Sequence, residues 1–256
     1  MGTVAGMERL VTTDIDDDVA TLTLDSQHNR NALSKQLVAE LHEGLDRAEA
    51  ADARAVVVRH EGPAFCAGAD LKERSDGPPD SEPFARVMTR LMDTGRPTIA
   101  AVDGAVRAGG IGLMASCDLV VVHSDVTFAL TEVRIGVAAA MISVPILRRV
   151  PVSRITAAFL TGEPFDAQEA RSMGLVTHVT DDVDTTVATL VDGIRAGARR
   201  AVAETKRMLH HVPTLERDRA MVEMIRLSNE LFTGPDAAEG MAAFREKRLP
   251  SWNPRA

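Results

Sequence analysis

The chain has 256 residues, 45% apolar and 26% charged, with a net charge of −8. That suits a globular protein with one sizeable core and speaks against a surface built to neutralise nucleic-acid phosphates or an anionic membrane. Aromatics make up only 3% and tyrosine is absent, which leaves little for a base-stacking platform. No apolar run reaches the roughly 18–20 residues of a membrane span, and Met1 to Arg9 lack the pattern of a secretory leader. A cytoplasmic protein is expected, with Cys66 and Cys117 as buried free thiols.

In chain order, residues 9–14 and 19–24 alternate apolar and polar around Asp16-Asp17-Asp18 and predict a β-hairpin. Ser34 reads as an N-cap for a helix carrying Leu37, Val38, Leu41 and Leu45. Ala55 to Val58 predicts a buried strand, followed by a Gly/Pro-rich loop that includes Gly77-Pro78-Pro79. Thr98 to Val102 predicts a second buried strand, entering a glycine-rich stretch from Gly104 to Gly112 and a short helix. Leu119 to Val122 and Thr127-Phe128 follow as strands. Helical patterns then cover Ile142 to Val150, Arg154 to Leu160 and Ala167 to Met173, with a short strand at Val176 to Val179. Residues 184–248 read almost wholly as helix, interrupted at Pro213 and Gly234. Strands alternating with helices before a helical tail predict an α/β layered core with a helical appendage, divided as residues 1–190 and 191–256.

Three segments stand out chemically. Ala64-Phe-Cys-Ala-Gly-Ala-Asp-Leu71 and Val102 to Gly112 are runs of small residues between a strand and a helix. Such turns let a ligand approach the backbone and aim free N–H groups outward. Two of them directed at one oxygen make an oxyanion hole without any side chain. The third segment, Phe128 to Gly136, sets Glu132 among apolar neighbours, where a carboxylate gains basicity. One small-residue turn alone is commonly tight packing, and one glutamate alone is commonly a solvated strand end. The three together, in this order, point to chemistry.

These segments carry a resemblance. With Asn31-Ala-Leu33, Ile99 to Gly104, Cys117-Asp118, Leu160-Thr-Gly162, Gly174-Leu-Val176 and the tail Glu239 to Arg248, the chain resembles the crotonase superfamily, the enoyl-CoA hydratase/isomerase family, over roughly residues 8 to 250. The resemblance implies a crotonase-like spiral of repeated ββα units with a helical trimerisation region, assembled as a homotrimer or a dimer of trimers. It implies an acyl-CoA thioester substrate in fatty acid metabolism, with no cofactor beyond the coenzyme A of the substrate and no metal. By the family pattern, the N–H groups of Ala69 and Gly109 form the oxyanion hole. Ala67, Gly68, Asp70, Leu71 and Lys72 lie along the substrate, with Gly110 and Gly112. Phe244 and Lys247 match tail positions that reach a neighbouring subunit's CoA.

The departures are as informative. Family hydratases flank the substrate with two glutamates, and this chain keeps Glu132 but has Gly112 at the other position. The usual triple glycine begins with Ala108, preceded by Arg107. A glycine-rich segment after Gly136 is replaced by Val137-Ala-Ala-Ala-Met-Ile-Ser143. Two carboxylates share the work of adding water to a conjugated thioester, so one glutamate predicts slower hydration. A single base suffices to move a proton between the α and γ carbons of a 3-enoyl-CoA. Hydration of a 2-enoyl-CoA is the first expectation. Isomerisation and a weakly active or inactive acyl-CoA-binding homologue are the alternatives. An acid from residues 73–82 (Glu73, Asp76, Asp80 or Glu82) stands as a candidate replacement for the absent glutamate, and Gly112→Glu is expected to raise hydration if the water site is intact.

Other readings are weaker. Gly110 to Ala115 fits G-x-G-x-x-A, but the glycines come too late after their strand and no acidic partner follows at the expected distance. No G-x-S-x-G occurs. His210-His211 lacks metal-site spacing.

Overall fold

Asp17 and Asp18 both take positive φ, 48° and 65°. A two-residue turn of that hand suits the twist of a hairpin, and it joins β1 (Val11–Asp16) to β2 (Val19–Leu24) in antiparallel register, Val11 opposite Leu24. The computed structural model describes residues 9–73 and 80–256. The predicted Gly77-Pro78-Pro79 loop lies outside the described residues, as does Asp76.

Ser34 caps α1 (Lys35–Ala50), its side chain accepting the Leu37 N–H. Leu37, Val38, Leu41 and Leu45 face the core as their spacing requires. Then come two strand pairs with a helix after each. β3 (Ala55–His60) and β4 (Ala64–Cys66) precede α2 (Glu82–Asp93). β5 (Thr98–Val102) and β6 (Ala105–Arg107) precede α3 (Gly109–Ala115). A third pair, β7 (Leu119–His123) and β8 (Thr127–Ala129), leads through a 3-10 turn at Thr131–Ile135 to α4 (Ala140–Leu147). α5 (Val152–Thr161), β9 (Phe165–Asp166), α6 (Ala167–Met173) and β10 (His178–Thr180) complete the sheets.

The first strand of each pair joins one sheet and the second joins another. The six-stranded sheet runs β1-β2-β3-β5-β7-β10 and the four-stranded sheet β4-β6-β8-β9. β3, β5 and β7 are parallel neighbours, and so are β4, β6 and β8. The chain therefore advances by one strand in each sheet with every ββα step, the spiral that the resemblance implies. Between the layers lie fully buried Leu22, Leu24, Leu37, Leu41 and Phe65. Phe128 stacks on Phe165 with ring centres 5.4 Å apart.

The chain divides into two compact units, Met1–Thr94 with Thr98–Val187, and Gly95–Pro97 with Ala188–Ala256. The division falls inside α7 (Val183–Arg195). In the second unit are α8 (Arg199–His211), α9 (Arg217–Phe232) and α10 (Pro235–Glu246). There the buried Lys206 donates to the Arg96 carbonyl, and the Trp252 indole N–H donates to the Ala196 carbonyl.

Candidate active site

β4, β6 and β8 are parallel and adjacent, so their C-terminal ends lie along one edge of the small sheet. Each is followed within three residues by one of the predicted functional groups: Ala69 after β4, Gly109 after β6 and Glu132 after β8. Parallel strands sit about 4.8 Å apart. Repetition of the ββα unit thus brings together residues far apart in sequence.

The β4 turn is held from beneath by Asn31, which is fully buried. Its amide donates to the carbonyls of Glu61 (3.0 Å) and Ala64 (2.8 Å), and its Oδ1 accepts the Ser26 N–H at 2.6 Å. Leu33 then forms a parallel bridge with Ala69. The Leu33 N–H donates to the Gly68 carbonyl and the Asp70 N–H donates to the Leu33 carbonyl. Those bonds use the peptides on either side of Ala69, so the N–H of Ala69 itself points away from Leu33. Gly68 has φ +95°, a conformation suited to glycine.

Gly109 opens α3, where an N–H has no acceptor within the helix. It abuts the β4 turn. A Cβ on Gly109 would stand 2.7 Å from Leu33 Cδ1 and 3.8 Å from the Ala69 nitrogen, and one on Gly68 would stand 3.5 Å from the Gly109 nitrogen. Ala108, which precedes Gly109, adopts φ +47° and ψ −119°. That conformation strains any residue with a Cβ. It is fixed by donation from the Ala108 N–H to the Ala129 carbonyl of β8. Arg107 reinforces the same β6–β8 contact through the Thr127 carbonyl and hydroxyl.

Glu132 is half-buried in the 3-10 turn after β8. Its Oε2 is buried with no hydrogen-bond partner among the described residues. Desolvation raises its pKa above the ordinary carboxylate value, partly offset by its own backbone N–H.

The remaining predicted residues fall into different places. Gly110 is buried against Cys66, with room for no side chain. The thiol of Cys66 is pushed up to about 12 by burial, despite the Gly68 N–H beside it, which suits packing rather than nucleophilic attack. Ala67, Leu71 and Lys72 are exposed. Asp70 has both oxygens engaged locally, by the Asn29 amide at 3.1 Å and the Lys72 N–H at 3.0 Å, so it braces the turn. Phe244 and Lys247 belong to the second unit. Phe244 is 85% exposed and Lys247 closes α10 with φ +55°.

Gly112 is buried, and the predicted gain from Gly112→Glu has no room in this structure. A Cβ there would lie 2.3 Å from Ile142 Cγ2, 2.6 Å from Ile142 Cβ and 3.2 Å from Met88 Sδ. The candidate replacement acids are also occupied. Glu73 accepts the Lys35 N–H at the start of α1 (2.8 Å), Asp80 accepts the Glu82 N–H, and Glu82 pairs with Arg86. Asp76 lies outside the described residues. Leu33 and Ile142 lie in segments the sequence singles out, Asn31-Ala-Leu33 and Val137 to Ser143, though their contacts with Gly109 and Gly112 do not follow from it, and Met88 escapes the sequence reading. Met88 sits in α2, whose apolar spacing at Phe84, Val87, Met88 and Leu91 was available to find it. Ile142 is marked only as part of the Val137 to Ser143 replacement of a glycine-rich segment.

The rival motifs dissolve as well. The Gly110 to Ala115 fingerprint lies inside α3 itself, a helix of 7 residues. His211 pairs with Glu223 across α8 and α9.

A sequence profile described as enoyl-CoA hydratase/isomerase matches residues 14–255. The mouse mitochondrial enoyl-CoA hydratase domain-containing protein 3 is 31% identical over 261 residues, covering 96% of this chain and 85% of that protein. A mevalonyl-coenzyme A hydratase of Aspergillus fumigatus is 33% identical over 252 residues, covering 92% of each. The solved structure of an enoyl-CoA hydratase from Mycobacterium smegmatis superposes with a TM-score of 0.89 at 34% identity, covering 96% of this chain and 99% of that one. The chain belongs to the enoyl-CoA hydratase/isomerase family and has the crotonase fold. Among the described residues, no helix is long and apolar enough to cross a membrane.

Proposed function

We propose that this protein binds an acyl-CoA thioester with its carbonyl oxygen between the N–H groups of Ala69 and Gly109, and that Glu132 is its one acid–base group. The observation that carries this is the edge formed by β4, β6 and β8, which sets two outward N–H groups and one desolvated carboxylate at successive strand ends. Backbone donors aimed at the thioester oxygen stabilise the charge that develops there when a proton leaves the α carbon or water adds to the β carbon. Glu132, deprived of solvent, is basic enough to take a proton and to return it.

Hydration of a 2-enoyl-CoA is the first reading, in line with the names of its relatives. Glu132 assists addition of water oxygen to the β carbon and delivery of a proton to the α carbon. Isomerisation of a 3-enoyl-CoA is the second, and the occupied space at Gly112 favours it. Here Glu132 removes an α proton and returns it to the γ carbon, moving the double bond into conjugation. Following conjugated-thioester absorbance with each substrate separates them. Loss with the 2-enoyl thioester marks hydration, and gain with the 3-enoyl thioester marks isomerisation. No change with either across a range of chain lengths contradicts both.

The same reading includes assembly as a homotrimer or dimer of trimers, supported by Met221, Val222, Ile225 and Phe232, which α9 leaves exposed. It also includes work in the cytoplasm without a separate cofactor. Cys66 and Cys117, buried and in no disulfide, suit a reducing compartment.

A further inference from the structure

Gly109 and Gly112 are three residues apart in α3 and share one helix face. At Gly109 that face meets Leu33 and the Ala69 turn. One turn further along, at Gly112, it is closed by Ile142 of α4 and Met88 of α2, each 3% exposed. The contact is closer than real Cβ atoms tolerate. Both Ile142 Cγ2 and Ile142 Cβ lie within 2.6 Å of where a Cβ on Gly112 would be. The side chain of Ile142 therefore stands in the volume that any residue at 112 would enter. Both covering side chains are apolar and offer a water molecule little to bond to.

We propose that Ile142 is a specificity-determining residue: it fills the space beside Gly112, holds the site to a single carboxylate, and keeps hydration slow relative to proton transfer along the acyl chain. This rests on the reading of Glu132 as the acid–base group. Because Ile142 Cβ itself is in the way, alanine at 142 leaves the clash with a residue at 112, and glycine is required to lift it.

The test compares wild type, Gly112→Glu, Ile142→Gly and the double variant Gly112→Glu/Ile142→Gly, reading the ratio of 2-enoyl-CoA hydration to 3-enoyl-CoA isomerisation. The expected result is that Gly112→Glu alone lowers Tm, while the double variant raises the ratio at least about tenfold over Ile142→Gly, the low end of what one acid–base group supplies. A folded double variant within twofold of Ile142→Gly overturns the proposal. So does a Gly112→Glu protein that keeps its Tm and hydrates faster.

Should the double variant fail to fold, Ile142→Ala with added formate replaces it. Formate raises hydration in a concentration-dependent way in that variant and not in wild type. Absence of rescue overturns the proposal. The crowding itself has a readout independent of catalysis: Gly112→Ala lowers Tm in the wild-type background and not in Ile142→Gly. If wild type turns over neither substrate, the reading of Glu132 fails while this coupling still reports on Ile142.

Discussion

The two sides of the candidate site are built on different principles. On the side of β4 and β6, the proposed function rests on the backbone. The Ala69 and Gly109 N–H groups are aimed by a bridge to Leu33, by Asn31 beneath the turn and by the start of α3. On the side of β8 and α4, the proposed function rests on side chains, with Glu132 present and the space at Gly112 taken by Ile142. A backbone hole tolerates many substitutions, since each peptide carries the same N–H. The side-chain half changes with a single replacement. The proposed function therefore makes binding of the thioester and the reaction done to it separable, each open to being broken without the other.

The largest effect is expected from Glu132→Gln. Turnover falls about 10²–10⁴-fold, the usual contribution of one acid–base group, while the affinity for a saturated acyl-CoA, measured by calorimetry, stays within a few-fold. Equal loss of affinity would merge the two halves. On the backbone side, Asn31→Ala leaves one buried N–H and two carbonyls unpartnered and is expected to cost about 2–4 kcal/mol in denaturant unfolding. An unfolding midpoint unchanged from wild type would remove Asn31 from the support of the hole.

A pH profile tests Glu132 more gently. Desolvation raises its folded-state pKa, so the active ionised form is lost as pH falls through a value above the ordinary carboxylate range, and kcat/KM drops about tenfold per pH unit below it. Stability follows the same sign. The folded state holds this proton more tightly than the unfolded chain does. Glu132 therefore subtracts stability as pH rises from the ordinary carboxylate range through the raised one. The Tm advantage of Glu132→Gln over wild type is present at neutral pH and shrinks as pH falls. The smallest effect is Ala108→Gly, which relieves the strain at φ +47° and, after the added freedom of the unfolded glycine, is expected to stabilise by about 1 kcal/mol.

The same division explains what could be read from the sequence. The six-stranded sheet was legible, because alternation in 19–24 and apolar runs at 55–58, 98–102 and 119–122 are long enough to carry a pattern. β4 and β6 were not, because strands of three residues are too short to show a period. That hid the parallel edge on which Ala69, Gly109 and Glu132 meet, although each segment was recognisable singly. α2 lies where the sequence predicts only the loop that includes Gly77-Pro78-Pro79, despite the helical spacing of Phe84, Val87, Met88 and Leu91. The sequence shows bulk in the Val137 to Ser143 segment but not that Ile142 fills the space at Gly112. Ile142 lies thirty residues away, and only the packing of α4 on α3 brings it there.

The most direct test is exchange of the α protons of a saturated acyl-CoA with deuterated water, followed by NMR. It needs only the hole and one base, whatever reaction comes after. Wild type is expected to catalyse exchange, with Glu132→Gln slowed at least about 10²-fold while still binding the thioester. Exchange at an undiminished rate in Glu132→Gln, or none in a wild type that binds the thioester, would contradict a site in which two backbone N–H groups and Glu132 carry the chemistry.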